Sequence, residues 1–327
     1  MKLFHLLMLS FSILLLSCGI QIKPAHEKAS SFTTTFRLNQ NTLHVPKKIR
    51  SCFNSPRTTN ETDVYLLAMG ANTGKLTGAN QDAQRFKTAI QHRYHIPESN
   101  ICLLKDVYRQ EVKQAITRLH QVSKKNDLII LYFSGHGTQI VDNDRDELPD
   151  KFDEVLVTYT PQRPSPSGMI EANGVIDDEL VAWIDALPTK RVLTVLDTCF
   201  SGGMYLNEHN LETELARGKS LFNPDILKLK GSRAVSKSNH PSVHRDRISS
   251  KQIKGLLLSA AEEDQEAIEL PKEGGQFTVL FLRELQKKPK NSLQEIFNAT
   301  ARAVARSKHA HHPTSTGDWA ILSGLDP

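Results

Sequence analysis

Two short segments carry residue types suited to covalent chemistry. Ser134-Gly135-His136-Gly137 follows the apolar run Leu128-Ile129-Ile130-Leu131-Tyr132-Phe133, and Asp197-Thr198-Cys199-Phe200-Ser201-Gly202-Gly203 follows Val192-Leu193-Thr194-Val195-Leu196. An imidazole beside a thiol lowers its pKa or accepts its proton, and the thiolate is the nucleophile. The flanking glycines let the backbone turn sharply and let a carbonyl approach closely. The backbone N–H groups of Gly137 and Cys199 are then natural donors to an oxyanion. Each residue alone would mean little, since a Cys at a strand end is more often a small buried hydrophobe and a His a satisfied polar group. The specificity lies in finding both motifs, each at the end of an apolar run.

For the two side chains to meet, the runs must be neighbouring parallel strands. The chain supports that from residue 61 onward. Val64–Gly70, Ile101–Leu104, Asp127–Ser134, Arg191–Asp197 and Gly255–Ala261 read as buried strands, and Ala79–Tyr94 and Gln110–Lys125 as amphipathic helices between them. Such alternation implies an α/β fold, a mostly parallel central sheet with helices on both faces. Its active residues belong at the carboxyl ends of strands. Later, Phe277–Leu285 and Leu293–Ala305 read as packing helices, and Trp319–Leu322 as a last edge strand.

Tyr132-Phe133-Ser134-Gly135-His136-Gly137 resembles the histidine motif of metacaspase-type, caspase-like cysteine peptidases of bacterial kind. Asp197-Thr198-Cys199-Phe200-Ser201-Gly202 resembles their cysteine motif. Agreement runs on through Asp153-Glu154, Ile176-Asp177-Asp178-Glu179 and Gly255–Ala261 to Gly275-Gln276-Phe277-Thr278. The resemblance implies a caspase-like α/β/α sandwich, with a large catalytic part over 61–203, a basic linker over 204–254, and a small part over 255–327 that completes the sheet. It implies peptide-bond hydrolysis through a Cys199/His136 dyad and a thioester. Asp82, Ser134 and Asp197 match residues lining an acidic first specificity pocket, which implies cleavage after Arg or Lys. Asp153, Asp177 and Asp178 match positions that bind activating calcium in several relatives, although the further Asp expected beyond the cysteine motif is replaced by Met204-Tyr205-Leu206. No cofactor is required for the chemistry itself. Local explanations stand beside two of these assignments: Asp82 sits where a first-turn acid suits a helix dipole, and Asp177-Asp178 open an amphipathic stretch as capping residues do. The acidic run Asp142–Glu147 lacks the Gly and terminal Glu of an EF-hand and reads as a solvated loop.

The linker carries Arg217, Lys219, Lys228, Lys230, Arg233, Lys237, Arg245, Arg247 and Lys251. It reads either as a solvated connection or as a place where an Arg/Lys-specific peptidase cuts itself, and its charge also suits anionic lipid headgroups. His309, His311 and His312 read as an adventitious metal cluster at most. At the other end, Met1-Lys2 and the apolar Leu3–Leu16 form a stretch too short to span a bilayer. It runs into Leu15-Leu16-Ser17-Cys18-Gly19, which resembles a lipoprotein signal ending at a lipidated Cys18. The expectation is an exported protein held by its anchor at the periplasmic face of the outer membrane or at the cell surface. Residues 19–60 read as a flexible tether containing an unpaired Cys52.

The whole sequence bounds these readings. It has 327 residues, 39% hydrophobic and 24% charged, with a net charge of +5. That composition excludes collagen, coiled coil and wholesale disorder, and the charge is too small to argue for nucleic acid. Four cysteines cannot build a disulfide scaffold, and no paired CxxC supports structural zinc. A monomer acting on peptides is expected. Two other readings stay open: a catalytically inactive, surface-anchored binding module, and a caspase-like hydrolase of different side-chain preference.

Overall fold

A computed structural model describes residues 46, 48–54, 62–141, 152–161, 166–199, 217–221, 253–262 and 265–325. The signal and lipidation site at Cys18, most of the tether, the acidic run Asp142–Glu147, and most of the linker lie outside them. No helix among the described residues is long and apolar enough to cross a membrane.

The chain builds a six-stranded sheet from β1 (Val64–Gly70), β2 (Ile101–Lys105), β3 (Leu128–Ser134), β7 (Arg191–Asp197), β9 (Leu256–Ser259) and β12 (Thr314–Gly317), in the order β12-β9-β7-β3-β1-β2. All neighbours are parallel except β12, which runs antiparallel to β9. Parallel pairing demands crossovers over the faces, so the central strands are covered on both sides and read as unbroken apolar runs. In β1 every residue is buried. Its alternate side chains serve two separate cores. Tyr65, Leu67 and Met69 pack with α2 (Arg109–Val122) and α4 (Asp177–Asp185), while Val64, Leu66 and Ala68 pack with α1 (Ala79–Tyr94), α5 (Gln276–Lys287) and α6 (Leu293–Ala305). This is the expected α/β architecture, with helices on both faces of a mostly parallel sheet.

Two small three-stranded sheets flank its carboxyl edge. One joins β4 (His136–Val141), β5 (Phe152–Val157) and β6 (Gly174–Ile176), with α3 (Pro166–Asn173) leading into β6. The other joins β8 (Arg217–Gly218), β10 (Ile268–Leu270) and β11 (Gly274–Gly275). Neither was legible in the apolar pattern, because their strands are short and partly polar.

Two expectations are corrected. Trp319–Leu322 is a 3₁₀ turn, and the edge strand is Thr314–Gly317 just before it. The cause is local: the Asp318 side chain accepts the Ala320 N–H at 2.8 Å and turns the chain. Cys52 is not an unpaired thiol but is disulfide-bonded to Cys102 in β2, fifty residues away. Around it, residues 48–54 are a docked strap rather than a free tether. Phe53 is buried edge-on against Tyr65, with ring centroids 5.9 Å apart. Arg50 donates from Nε to Glu111 Oε1 at 2.8 Å and from Nη1 to the Lys105 carbonyl at 2.7 Å. Burial works to raise the Glu111 carboxyl, but the hydrogen bonds from Arg50 hold it below the usual range.

Candidate active site

Strand register brings the two motifs together. In the β3–β7 ladder, Ser134 stands opposite Asp197. His136 and Cys199 each follow by two residues, so both leave the same end of adjacent parallel strands. The turn past Ser134 is tied across by the Gly135 N–H, which donates to the Asp197 carbonyl at 3.4 Å. Gly137 then lies flush on the cysteine loop. A Cβ at that position would overlap the Cys199 carbonyl and stand 2.7 Å from Thr198 Oγ1. Only glycine allows this approach.

Both candidate side chains are shielded from solvent, His136 at 5% and Cys199 at 1% exposure. Cys199 takes part in no disulfide, and its sulfur lies 4.0 Å from the Ala267 carbonyl. Burial pulls the His136 imidazole down to about 4, although the carbonyls of Lys219 and Thr73 favour its charged form. The ring is therefore neutral at physiological pH, which is the state able to accept a thiol proton. Gly74, at φ +62°, brings the Thr73–Leu76 loop against the ring, where a Cβ would lie 3.2 Å from His136 Nε2.

The residues expected to form an acidic pocket do converge. Asp82 on α1, Ser134 at the end of β3 and Asp197 at the end of β7 are all fully buried. Ser134 Oγ donates to Asp82 Oδ2 at 3.0 Å, and the Gly275 N–H donates to the same oxygen at 2.8 Å. Asp197 Oδ2 accepts from Thr278 Oγ1 at 2.5 Å and from the Thr278 N–H at 3.2 Å. The Thr278 hydroxyl in turn meets the Tyr132 hydroxyl at 2.6 Å. Burial and the nearby Asp197 charge push Asp82 up to about 6, against the lowering effect of Lys219. Gly275 keeps the pocket open, since a Cβ there would overlap the Asp197 carboxylate.

A cation already occupies this pocket, and it comes from the chain itself. Lys219, one of the basic residues of the linker read either as a solvated connection or as a self-processing segment, is completely buried. Its Nζ lies 2.8 Å from Asp197 Oδ1 and 3.6 Å from Asp82 Oδ2, and it donates to Ser134 Oγ at 2.9 Å and to the Asp197 carbonyl at 3.0 Å. Burial opposes its charge, yet the two carboxylates more than compensate, so its pKa is raised and the ammonium persists. Its backbone is held equally firmly. The Lys219 N–H donates to the Ala267 carbonyl at 2.9 Å, and the Lys219 carbonyl accepts the Gly137 N–H at 2.9 Å. Leu221 N–H donates to the Gly137 carbonyl at 2.8 Å. The segment from Arg217 to Leu221 thus runs through the site in an extended, strand-paired form. Sequence reading counted Lys219 among nine basic linker residues but had no signal to separate it from the rest.

The three residues matched to a calcium site behave differently. Asp153 and Asp177 are buried, on β5 and at the first residue of α4, and Asp178 follows. The β5–β6 ladder, with Val155 opposite Ile176, carries Asp153 and the Asp177-Asp178 pair towards the same end. Asp177 and Asp178 lie in the first helical turn, and the N-cap itself is Ile176, so they suit the helix dipole rather than cap it. No group of three metal-ligating side chains capable of holding an ion occurs among the described residues. The histidines at 309, 311 and 312 also separate: His311 is buried, and His312 instead meets Gln265, 2.7 Å from its amide nitrogen.

The caspase-domain profile matches residues 65–318. Metacaspase-1A of Aspergillus oryzae is 25% identical over 274 residues, covering 73% of this chain and 63% of its own length. Metacaspase-6 of Arabidopsis thaliana is 28% identical over 138 residues, covering 40% of this chain and 34% of its own length. The chain therefore spans between about a third and under two thirds of these curated relatives. The crystal structure of protein GSU0716 from Geobacter sulfurreducens shares the fold with a TM-score of 0.55 at 22% identity, covering 81% of this chain and 97% of that one. With its profile match spanning both motifs and the sheet that carries them, the chain belongs to the caspase-domain family, among relatives named as metacaspases.

Proposed function

We propose that the protein is a cysteine endopeptidase that cuts after Lys or Arg, and that its own Lys219–Ser220 bond is its first substrate. The observation that carries this reading is Lys219 itself: its ammonium sits between Asp82 and Asp197 while its carbonyl accepts the Gly137 N–H. A carbonyl that accepts a backbone N–H next to the cysteine loop supports reading it as a substrate carbonyl. In the reaction, His136 takes the Cys199 proton and the thiolate attacks the Lys219 carbonyl carbon. The oxyanion is held by the Gly137 and Cys199 N–H groups. Collapse breaks the Lys219–Ser220 C–N bond, His136 protonates the departing Ser220 amine, and a thioester remains. Water, deprotonated by His136, then releases the Lys219 carboxylate and restores the thiol. A free peptide can use the pocket only after Lys219 leaves it, which makes self-cleavage an activating step.

We extend the proposal to calcium as an activator, although the described side chains do not by themselves form a three-ligand site. Asp153, Asp177 and Asp178 would supply hard carboxylate oxygens to it, and an ion of this kind needs six or more oxygens in all. Its contribution would be to order this end of the β4–β6 sheet. We also assign the chain to an exported, lipid-anchored state through Cys18. The Cys52–Cys102 disulfide supports an oxidising compartment.

The test is incubation of the detergent-solubilised protein with and without calcium, followed by mass spectrometry and a panel of peptides ending in Arg, Lys or Asp. A new amino terminus at Ser220, and turnover of Arg and Lys peptides lost together in Cys199→Ala and His136→Ala, are expected. An uncut chain that turns over no peptide would favour an inactive binding module. Turnover of Asp peptides alone would mean a hydrolase of different preference.

A further inference from the structure

Resting on the reading of Lys219 as a substrate residue, we propose that Glu266 selects the side chain immediately before the cleaved residue, favouring Arg or Lys there, tolerating Gly and rejecting acids. The approach to the scissile bond is a strand ladder: Gly218 stands opposite Ile268 and Arg217 opposite Glu269, and the Lys219 N–H donates to the Ala267 carbonyl. Glu266 lies one residue upstream of Ala267, on the same strand face as Ile268 by the alternation of side chains. It is aimed at position 218. A Cβ built on Gly218 would overlap the Glu266 carboxylate, with Oε1, Cδ and Oε2 as its nearest atoms. The intramolecular segment thus carries the one residue that fits beneath this carboxylate without moving it.

Glu266 has a reason to seek a cation. No cation of the described residues lies against it; the residue as a whole is exposed, yet desolvation where its carboxyl meets the Gly218 backbone raises that group above the ordinary range. A side chain at the preceding position must push the carboxylate aside as it passes. A neutral one leaves a partly desolvated charge unpaired. Another acid adds repulsion, and a guanidinium or ammonium turns the same encounter into a charge-assisted hydrogen bond. Glu269, on the same strand, does not compete for this role, because its carboxylate accepts the Thr77 and Gly78 N–H groups at 2.9 Å each. Asp82 and Asp197 face the Lys219 side chain instead.

The experiment compares kcat/KM for peptides with Lys before the cleaved bond and Arg, Gln, Gly or Glu preceding it. Arg is expected to exceed Gln by about tenfold, the range of a partly exposed charged hydrogen bond, with Glu weakest. In Glu266→Gln the Arg-to-Gln ratio should fall to about one, while the preference for Lys over Asp at the cleaved position stays unchanged. An Arg-to-Gln ratio that is the same in the parent and in Glu266→Gln overturns the assignment. If no peptide is turned over, the reading of the site as a peptidase fails, and Glu266 is judged without catalysis. In the Cys199→Ala protein, Gly218→Arg should melt higher than Gly218→Gln, and adding Glu266→Gln should erase that gap. A gap that is absent from the start, or that survives Glu266→Gln, refutes the proposal.

Discussion

Replacing Lys219 by Met in a Cys199→Ala background, where the chain stays uncut, should unmask how much the pocket depends on its own cation. The ammonium is 2.8 Å from one buried carboxylate and 3.6 Å from another. At an effective dielectric of about 20, each attraction is on the order of 5 kcal/mol before desolvation and the repulsion between the two acids are subtracted. Breaking a buried ion pair by removing one partner costs about 3–5 kcal/mol, because the remaining charge has neither water nor counterion. For a domain of this size that corresponds to a melting temperature lower by roughly 6–20 °C. The loss should depend on pH in a stated direction. Without Lys219, whose charge lowers it, the Asp82 carboxyl is raised further in the fold, so its protonated form stabilises the variant below its unfolded value. That contribution disappears as pH rises through its elevated folded value. The Met variant should therefore fall furthest behind its parent near pH 8 and recover towards it near pH 5. Adding Asp82→Asn should restore part of the loss at pH 8. Differential scanning calorimetry of the three proteins at the two pH values is the assay. A Met variant within 2 °C of its parent at pH 8, or a deficit larger at pH 5 than at pH 8, would refute the argument.

Other consequences can be checked alongside. His136 is held neutral down to about pH 4, against about 6.5 when unfolded. Its contribution is therefore complete above the unfolded value and lost as pH falls towards 4, about 3 kcal/mol in total; His136→Asn should flatten this part of the stability profile in pH-dependent calorimetry. Gly137→Ala forces a Cβ into the Cys199 carbonyl and close to Thr198 Oγ1; cleavage after Lys219 should drop at least a hundredfold by gel densitometry, with the β3–β7 core intact by circular dichroism. Removing the disulfide with Cys52→Ser frees a loop of about 50 residues, worth about 4 kcal/mol on the chain-entropy account, and should lower the melting temperature by on the order of 10 °C without abolishing peptide turnover. Chelating calcium should slow the appearance of the Ser220 amino terminus, measured by mass spectrometry, and Asp177→Asn should make added calcium ineffective.

The strands that carry the two motifs could be read because both faces of a parallel sheet are covered, which makes runs such as Leu128–Phe133 and Val192–Leu196 almost entirely apolar, with Thr194 the exception. Their convergence followed from the same fact, since parallel neighbours end on one side. Asp82, Ser134 and Asp197 were found only through the resemblance; nothing in their spacing says that a helix start and two strand ends meet. Lys219 was hidden for a different reason. A lysine in a polar, Lys-rich stretch looks solvated, and its burial is decided by two acids more than twenty and more than a hundred residues away. The bond between Cys52 and Cys102 was equally invisible, as sequence separation says nothing about which thiols the fold brings within reach. Glu266 could be recognised only after Gly218 was seen opposite Ile268.

The placement of β9 has a further consequence. It is supplied from beyond residue 255, yet it pairs in parallel with β7, the strand that leads into Cys199. A severed Lys219–Ser220 bond would therefore interrupt the polypeptide without opening the sheet. The two pieces would stay joined by the main-chain pairing of β9 with β7 and of β10 with β8, and would part on a denaturing gel while eluting together from a native sizing column. The fresh carboxylate at Lys219 would also still be tethered by β8 beside the thiol that made it, so the newly cut enzyme would begin life holding its own first product.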